Sequence, residues 1–266
     1  MVEPTIDSEA TLRRQVLGHV QSLRGAGVEW LPAGAPLTIA LAANPPAAPA
    51  VAAPSPPTVA AISASPVPVA SLDQRRQALQ VLAEEVKGCM KCPALASSRT
   101  QTVFADGPPG VELCFIGEAP GADEDKQGRP FVGAAGQLLD RIIAACGFKR
   151  AEVYICNILK CRPPGNRTPL PNEAANCRGF LERQIELVQP KFICALGGCA
   201  ATNLLQTTLS LGKLRGKFHD WKGIPVMVTY HPAYLLPHRA PEKKKEVWED
   251  MQWLLKQMGR QVPPRT

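Results

Sequence analysis

Nowhere in the 266 residues is there an unbroken apolar window of about 18 residues, so a membrane-spanning helix is not expected. The first residues, M-V-E-P-T-I-D, carry acidic groups and no apolar run, so a signal peptide is not expected either. The nine cysteines are an odd number, and a chain of this length buries a core without disulfides, which argues against a secreted disulfide framework. A reduced cytoplasmic protein is the expectation. The glycine-rich stretch after residue 117 lacks a Gly-Lys-Ser or Gly-Lys-Thr ending, so it is not a phosphate-binding P-loop. Residues 31–70 lack large side chains to bury and contain ten of the 27 prolines, a composition that predicts an extended, disordered linker.

What is present is unevenly distributed. Residues 1–70 hold three Lys or Arg against four Asp or Glu, whereas residues 71–266 carry the whole positive balance, net +8 of an overall +7. A basic globular part suits a polyanion such as nucleic acid, and ordinary solubility charge explains it equally well. Ahead of the linker, Ser8 is a candidate N-cap and Leu12, Val16, Val20 and Leu23 share one helical face. Such a helix packs on its own domain or on a partner. The expected organisation is a helical segment at 1–30, the linker at 31–70 and an ordered domain at 71–266.

Within 71–266, Leu72, Leu79, Leu82 and Val86 predict a helix ending at Gly88. Buried strands are read at 111–117 (V-E-L-C-F-I-G), 153–156, 191–197 (K-F-I-C-A-L-G) and 225–230 (P-V-M-V-T-Y). Helices are read at 134–146, from about Glu173 with Asn172 as N-cap up to Pro190, and at about 242–258. Strands alternating with helices imply a three-layer α/β/α domain around a central parallel four-stranded sheet. Ligands of such sheets bind at the carboxyl ends of the strands. Three of those ends bring together the loop with Glu118 and Phe131, then Asn157, then His231. Asn157 offers one donor and one acceptor to a flat ligand.

Cys89 and Cys92 sit two residues apart after a helix, a spacing that grips a metal centre or forms a redox dithiol. Cys161 and Cys177 supply two more thiols in a second non-strand setting, around a loop stiffened by Pro163, Pro164, Pro169 and Pro171. Four soft thiolates suit an iron-sulfur cluster or zinc. The remaining five cysteines are read as core.

Three long motifs occur in order: G-E-A-P-G-x-x-E-D-x-x-G-R-P-F-V-G, then N-I-L-K-C-R-P-P-x-N-R-T-P, then H-P-A-Y-L-L, with Cys89 and Cys92 upstream. From about residue 80 to 256 the chain thereby resembles family 4 uracil-DNA glycosylase, the iron-sulfur branch of its superfamily. The resemblance implies a monofunctional enzyme that flips uracil out of single- or double-stranded DNA and hydrolyses its N-glycosidic bond, leaving an abasic site. It implies a [4Fe-4S] cluster on Cys89, Cys92, Cys161 and Cys177. It further implies that Phe131 stacks on uracil beside Gly117, that Asn157 accepts from N3–H and donates to O4, and that His231 donates to O2 as the base departs. Glu124 would block the 5-methyl of thymine. Another branch has an Asp one place after Glu118, where this chain has Ala119, so Glu118 is left as the nearest acid by sequence, to orient water or to hold the loop. Leu235 and Leu236 are expected as wedges into the duplex or as packing beneath the loop, and Lys160, Arg162, Arg167 and His238 as phosphate contacts. A monomer, nucleoid-associated through DNA, is expected. Two other readings stay open here: a covalent or non-covalent uracil-DNA binder, for which the inserted basic loop is missing, and an iron-sulfur DNA-binding or electron-transfer module without hydrolysis.

Overall fold

The computed structural model of the protein describes residues 71–264. The helix expected at 1–30 and the linker expected at 31–70 lie outside the described residues. The first element, α1 (Leu72–Lys87), starts at a capping box: the Ser71 hydroxyl accepts from Gln74 N at 3.2 Å, and Gln74 Oε1 accepts from Ser71 N at 2.7 Å. Gly88 ends it. After the short α2 (Pro93–Ser98) come β1 (Leu113–Gly117), α3 (Ala122–Gln127), α4 (Ala134–Ala145), β2 (Tyr154–Asn157), α5 (Pro171–Val188) and β3 (Phe192–Leu196). Then follow α6 (Gly198–Leu205), α7 (Leu211–Leu214), β4 (Phe218–Trp221), β5 (Ile224–Thr229) and α8 (Lys244–Gln257).

The sheet has five strands in the order β2-β1-β3-β5-β4. The four expected strands are parallel to one another, and the fifth, β4, pairs antiparallel with β5 at the edge. This corrects the four-stranded expectation. Lys222 and Gly223 join β4 to β5 as a two-residue hairpin with φ of +51° and +85°, the positive values that a type I′ turn demands. Strands β1 and β2 are buried along their whole length because helices cover both faces of the sheet. On one face, Cys114, Ile116 and Cys156 pack with Leu79 of α1 and Leu181 and Ile185 of α5. On the other, Leu113, Phe115 and Ile155 pack with Leu139 and Ile143 of α4 and Met251 and Leu254 of α8. The three-layer α/β/α architecture is therefore as expected.

Two boundaries differ from the pattern reading. The polar stretch after β1 is not all loop, since α3 forms inside it and is closed by Gly128 at φ +71°. Helix α5 begins at Pro171 rather than near Glu173, because proline's fixed φ and missing N–H suit a first helical position. No described helix is long and apolar enough to cross a membrane.

Candidate active site

The parallel strands bring their carboxyl ends to one rim. Gly117 ends β1 and pairs in register with Asn157, which ends β2. The backbone N–H of Gly197, just past β3, donates to Thr229 O of β5 at 2.8 Å, so the chain leaving β5 reaches His231 beside them. A cavity of about 670 Å³ opens over this rim, lined by Glu118, Glu124, Phe131, Asn157, Arg167, His231 and Tyr234 among others. That volume suits a small, flat ligand held by a few convergent polar groups.

Asn157 is 2% exposed, and its Oδ1 is a buried acceptor without a hydrogen-bond partner among the described residues. An orphaned buried polar atom costs about 1 to 3 kcal/mol, and the residue that carries this one lines the cavity, which makes it a candidate to pair with a ligand donor. Gly117 is what lets the site close around it. A Cβ there would stand 2.4 Å from Asn157 Oδ1 and 2.5 Å from Phe131 Cζ.

Phe131 is buried at 5% exposure in the core below the cavity, yet its ring also lines the cavity and lies 5.5 Å from the His231 ring at an interplanar angle of 29°. Its backbone is left-handed, with φ of +53°. Such a conformation costs a non-glycine residue of order 1 to 3 kcal/mol unless its surroundings hold it. Arg150 does so: Nη1 donates to Phe131 O at 3.1 Å and Nη2 to Pro130 O at 2.6 Å, while Asp106 and Asp140 accept from the same guanidinium. Gly136 allows the close approach, since a Cβ there would meet Phe131 O at 2.0 Å. Sequence reasoning passed over Arg150. Its partners come from three separate segments, and nothing local marks it.

Glu124 reaches back over the same loop, accepting from Val132 N at 2.9 Å and Gly133 N at 3.0 Å through Oε1 and from Gly121 N at 3.1 Å through Oε2. Three backbone donors thus fix a carboxylate in the cavity wall. Opposite, His231 Nδ1 accepts from Ala233 N at 3.1 Å, so the neutral ring carries its proton on Nε2. Burial pushes its pKa down to about 4, only partly opposed by the Glu124 charge. The ring is therefore neutral at pH 7. The sign follows: between about pH 6.5 and 4 the unfolded histidine binds a proton that the folded one does not, so this residue's contribution to stability falls as pH falls through that window. Glu118, half-buried in the same wall, has its pKa raised by burial, with the neighbouring Cys199 thiol partly offsetting it. Cys199 departs from the core reading of the five remaining cysteines. It is only half-buried, whereas Cys114, Cys146, Cys156 and Cys194 are buried.

With this geometry in place, comparison with known proteins is specific. Residues 104–252 match the model of the uracil DNA glycosylase superfamily. The chain is 44% identical over 180 residues to the type-4 uracil-DNA glycosylase of Thermotoga maritima, a stretch covering 67% of this chain and 93% of that protein. Against the type-4 uracil-DNA glycosylase of Archaeoglobus fulgidus it is 40% identical over 197 residues, covering 70% and 96%. This chain belongs to the type-4 uracil-DNA glycosylases. A type-5 uracil-DNA glycosylase of Pyrobaculum aerophilum is similar at a lower level, 28% over 180 residues covering 55% and 79%.

Next to the type-4 site lies a second, smaller cavity, lined by Cys89, Cys92, Cys161 and Cys177 together with Leu95, Leu159, Arg99 and Asn176. The four cysteines expected as ligands are thus brought together from the end of α1, the loop after β2 and the inner face of α5. Arg99 Nη1 donates to Cys161 Sγ at 2.9 Å, and Asn176 Nδ2 to Cys92 Sγ at 3.5 Å; burial raises the Cys161 pKa, and the Arg99 contact only partly offsets it. Glu173 also lines this cavity, but its carboxylate is occupied by Arg167 at 2.7 and 2.9 Å and by Leu170 N at 2.8 Å. Among the described residues no three His, Cys, Asp or Glu side chains are arranged around a single metal ion. A donor set of four sulfurs in a largely apolar wall fits an iron-sulfur cluster.

The residues expected to meet DNA are placed very differently from one another. Lys160 is 1% exposed, donating to Asn157 O at 2.9 Å and Gln184 Oε1 at 2.5 Å. It is a strut beneath Asn157, and its expected phosphate contact is corrected. Leu235 is also 1% exposed, packed in the core beneath its loop, which removes it as a wedge. Leu236 is half-buried against the same core. Arg162 is half-exposed and holds Asn166 Oδ1 at 2.7 Å, outside the cavity lining, whereas Arg167 lines the cavity while pairing with Glu173. His238 is exposed.

Proposed function

We propose that this protein removes uracil from DNA by flipping the base into the cavity over the strand ends and hydrolysing its N-glycosidic bond. The observation that carries the reading is the buried, unpartnered Oδ1 of Asn157, a residue that lines that cavity. Uracil offers N3–H as a donor beside O4 as an acceptor, which matches an amide turned with Oδ1 to N3–H and Nδ2 to O4. Cytosine presents an acceptor at N3 and a donor at N4, leaving both amide groups unpaired. The Phe131 ring, held by Arg150 through its backbone, supplies the stacking face. Glu124 stands as a fixed carboxylate wall against a 5-methyl group.

Breaking the bond leaves negative charge on the departing base and positive character on the sugar. A neutral His231 with its proton on Nε2 suits a hydrogen bond to uracil O2 that strengthens as charge accumulates, without first spending a proton. Glu118, next in sequence to Ala119 and in the cavity lining, is assigned to orient the attacking water, and burial raises its pKa. No lysine is among the described residues lining the cavity, and Lys160 is buried with both its acceptors inside the protein, so the reading uses no lysine as a covalent nucleophile.

Cys89, Cys92, Cys161 and Cys177 would hold a [4Fe-4S] cluster, which when bound cross-links the segment after α1, the loop after β2 and α5. That loop is shared between the two cavities: it leaves the cluster at Cys161, and its Pro163, Asn166, Arg167 and Thr168 line the substrate cavity. The cluster's part in this reading is structural. The DNA substrate itself fits the positive balance of residues 71–266.

The reading is tested by incubating the protein with an oligonucleotide containing one uracil and probing for alkali-labile sites. Many cleavable sites per protein molecule are expected. A stoichiometric covalent adduct would instead establish a uracil-DNA trap, and an unaltered strand would refute glycosylase activity.

A further inference from the structure

The loop after β5 buries Leu235 and half-buries Leu236; what it exposes is an aromatic ring. Tyr234 follows His231 by three residues, lines the same cavity and is 42% exposed, while Pro232 and Leu235 on either side are buried. Its ring does not hang free. It stacks on Tyr230, with centroids 5.4 Å apart and an interplanar angle of 22°. Tyr230 in turn lies under the Arg215 guanidinium, 4.4 Å from its centroid, and its hydroxyl donates to Glu246 Oε2 at 3.2 Å.

Arg215 is itself fixed. It donates to Asp250 at 3.0 and 3.2 Å and pairs with Glu246, and Thr229 Oγ1 donates to Asp250 at 2.5 Å. Backbone bonds pin the loop as well: Tyr234 N donates to His231 O at 2.9 Å and Ala240 N to Tyr234 O at 3.0 Å. An exposed ring carried on a second ring, a guanidinium and a buried carboxylate has already lost most of its rotamer freedom before any ligand arrives. Arg239, exposed in the same cavity lining, adds a cation beside it.

We propose that Tyr234 is a stacking platform for the DNA base adjacent to the flipped nucleotide, with Tyr230 and Arg215 as its rigid support. The proposal rests on the uracil-DNA reading above. A pyrimidine or purine π-face fits an exposed phenol ring at the mouth of the base pocket, and the contact is independent of sequence because every base has such a face. Platform and pocket then do separate work: the pocket selects the base, and the platform holds its neighbour once the stack has been opened.

The experiment uses the full chain and an oligonucleotide carrying an abasic-site analogue flanked by the fluorescent base 2-aminopurine. Wild type is expected to quench the probe on binding. Tyr234→Ala should lose the quenching and bind the strand about tenfold more weakly, with free-uracil affinity retained, and Tyr234→Trp should bind at least as tightly as wild type. Wild-type affinity in Tyr234→Ala would overturn the platform, as would equal binding by Tyr234→Leu and Tyr234→Trp, because apolar bulk rather than a π-face would then suffice. A parallel loss of free-uracil binding in Tyr234→Ala would make the ring a pocket wall instead. These outcomes are distinct from failure of the glycosylase reading, which shows itself in wild-type protein that leaves uracil in place.

Discussion

Asn157→Asp is expected to lower uracil excision by at least roughly tenfold while the fold and the iron content persist. The substitution keeps side-chain size, so the fit between Gly117 and Phe131 is unchanged; a Cβ on Gly117 would sit only 2.4 Å from Asn157 Oδ1, which shows how little slack the position has. What changes is hydrogen-bonding character. The amide that donates to O4 becomes a carboxylate that only accepts. Facing an acceptor with an acceptor, in a site 2% exposed, leaves buried groups unsatisfied at about 1 to 3 kcal/mol, and more for a charge. Cytosine, whose N4 amino group donates, should lose less, and weak cytosine excision is a permitted outcome. The comparison is made with matched oligonucleotides carrying one uracil or one cytosine. Wild-type uracil excision by this variant would show that Asn157 does not read the base.

Cys177→Ser is expected to act on a different quantity. Cys177 sits on the inner face of α5 in the stripe that includes Phe180, Leu181, Gln184 and Ile185, and it is 8% exposed in the wall of the thiol cavity. A serine hydroxyl fits the same space but is a poor ligand for iron, which prefers the soft thiolate. Iron should fall from about four per chain in wild type, the brown colour should fade, and soluble yield should drop because cluster binding is coupled to folding. Uracil excision should fall in proportion to iron, since the loop from Cys161 also walls the substrate cavity. Unchanged iron in the variant would remove Cys177 from the ligand set. A colourless wild-type protein with one zinc would overturn the cluster and leave the glycosylase intact.

The sequence was most legible where one physical constraint acts alone. Strands buried on both faces must be apolar throughout, so β1, β2, β3 and β5 stand out as unbroken runs. Because they are parallel, their final residues share one rim, so Asn157, His231 and Glu118 assemble from strand order, whereas Phe131, beyond α3, also needs Arg150 to hold it. β4 was missed because an edge strand has one open side: Phe218 and His219 are half-buried and Asp220 is exposed, which reads as loop. The pair Lys222-Gly223 was its only local signal. Lys160 looked like a surface cation beside Cys161 and Arg162, but Gln184, contributed by α5 24 residues later, provides the acceptor that lets it be buried. Leu235 and Tyr234 show the opposite failure. Hydrophobicity ranks the leucine as the wedge, whereas the turn after His231 buries the leucine and leaves the tyrosine outside. Which of two adjacent side chains points inward is decided by that turn and by the stack on Tyr230, neither of which has a sequence period.

The central claim is that a buried acceptor on Asn157 waits for the N3–H of uracil. Calorimetric titration of the wild-type protein with free uracil and, in parallel, with 3-methyluracil tests it most directly, because the methyl group removes that one donor and sets its bulk where Asn157 Oδ1 would accept. Uracil should bind, and 3-methyluracil should bind at least about tenfold more weakly, the loss expected for leaving Asn157 Oδ1 unpaired. Equal affinity for the two bases would contradict the account.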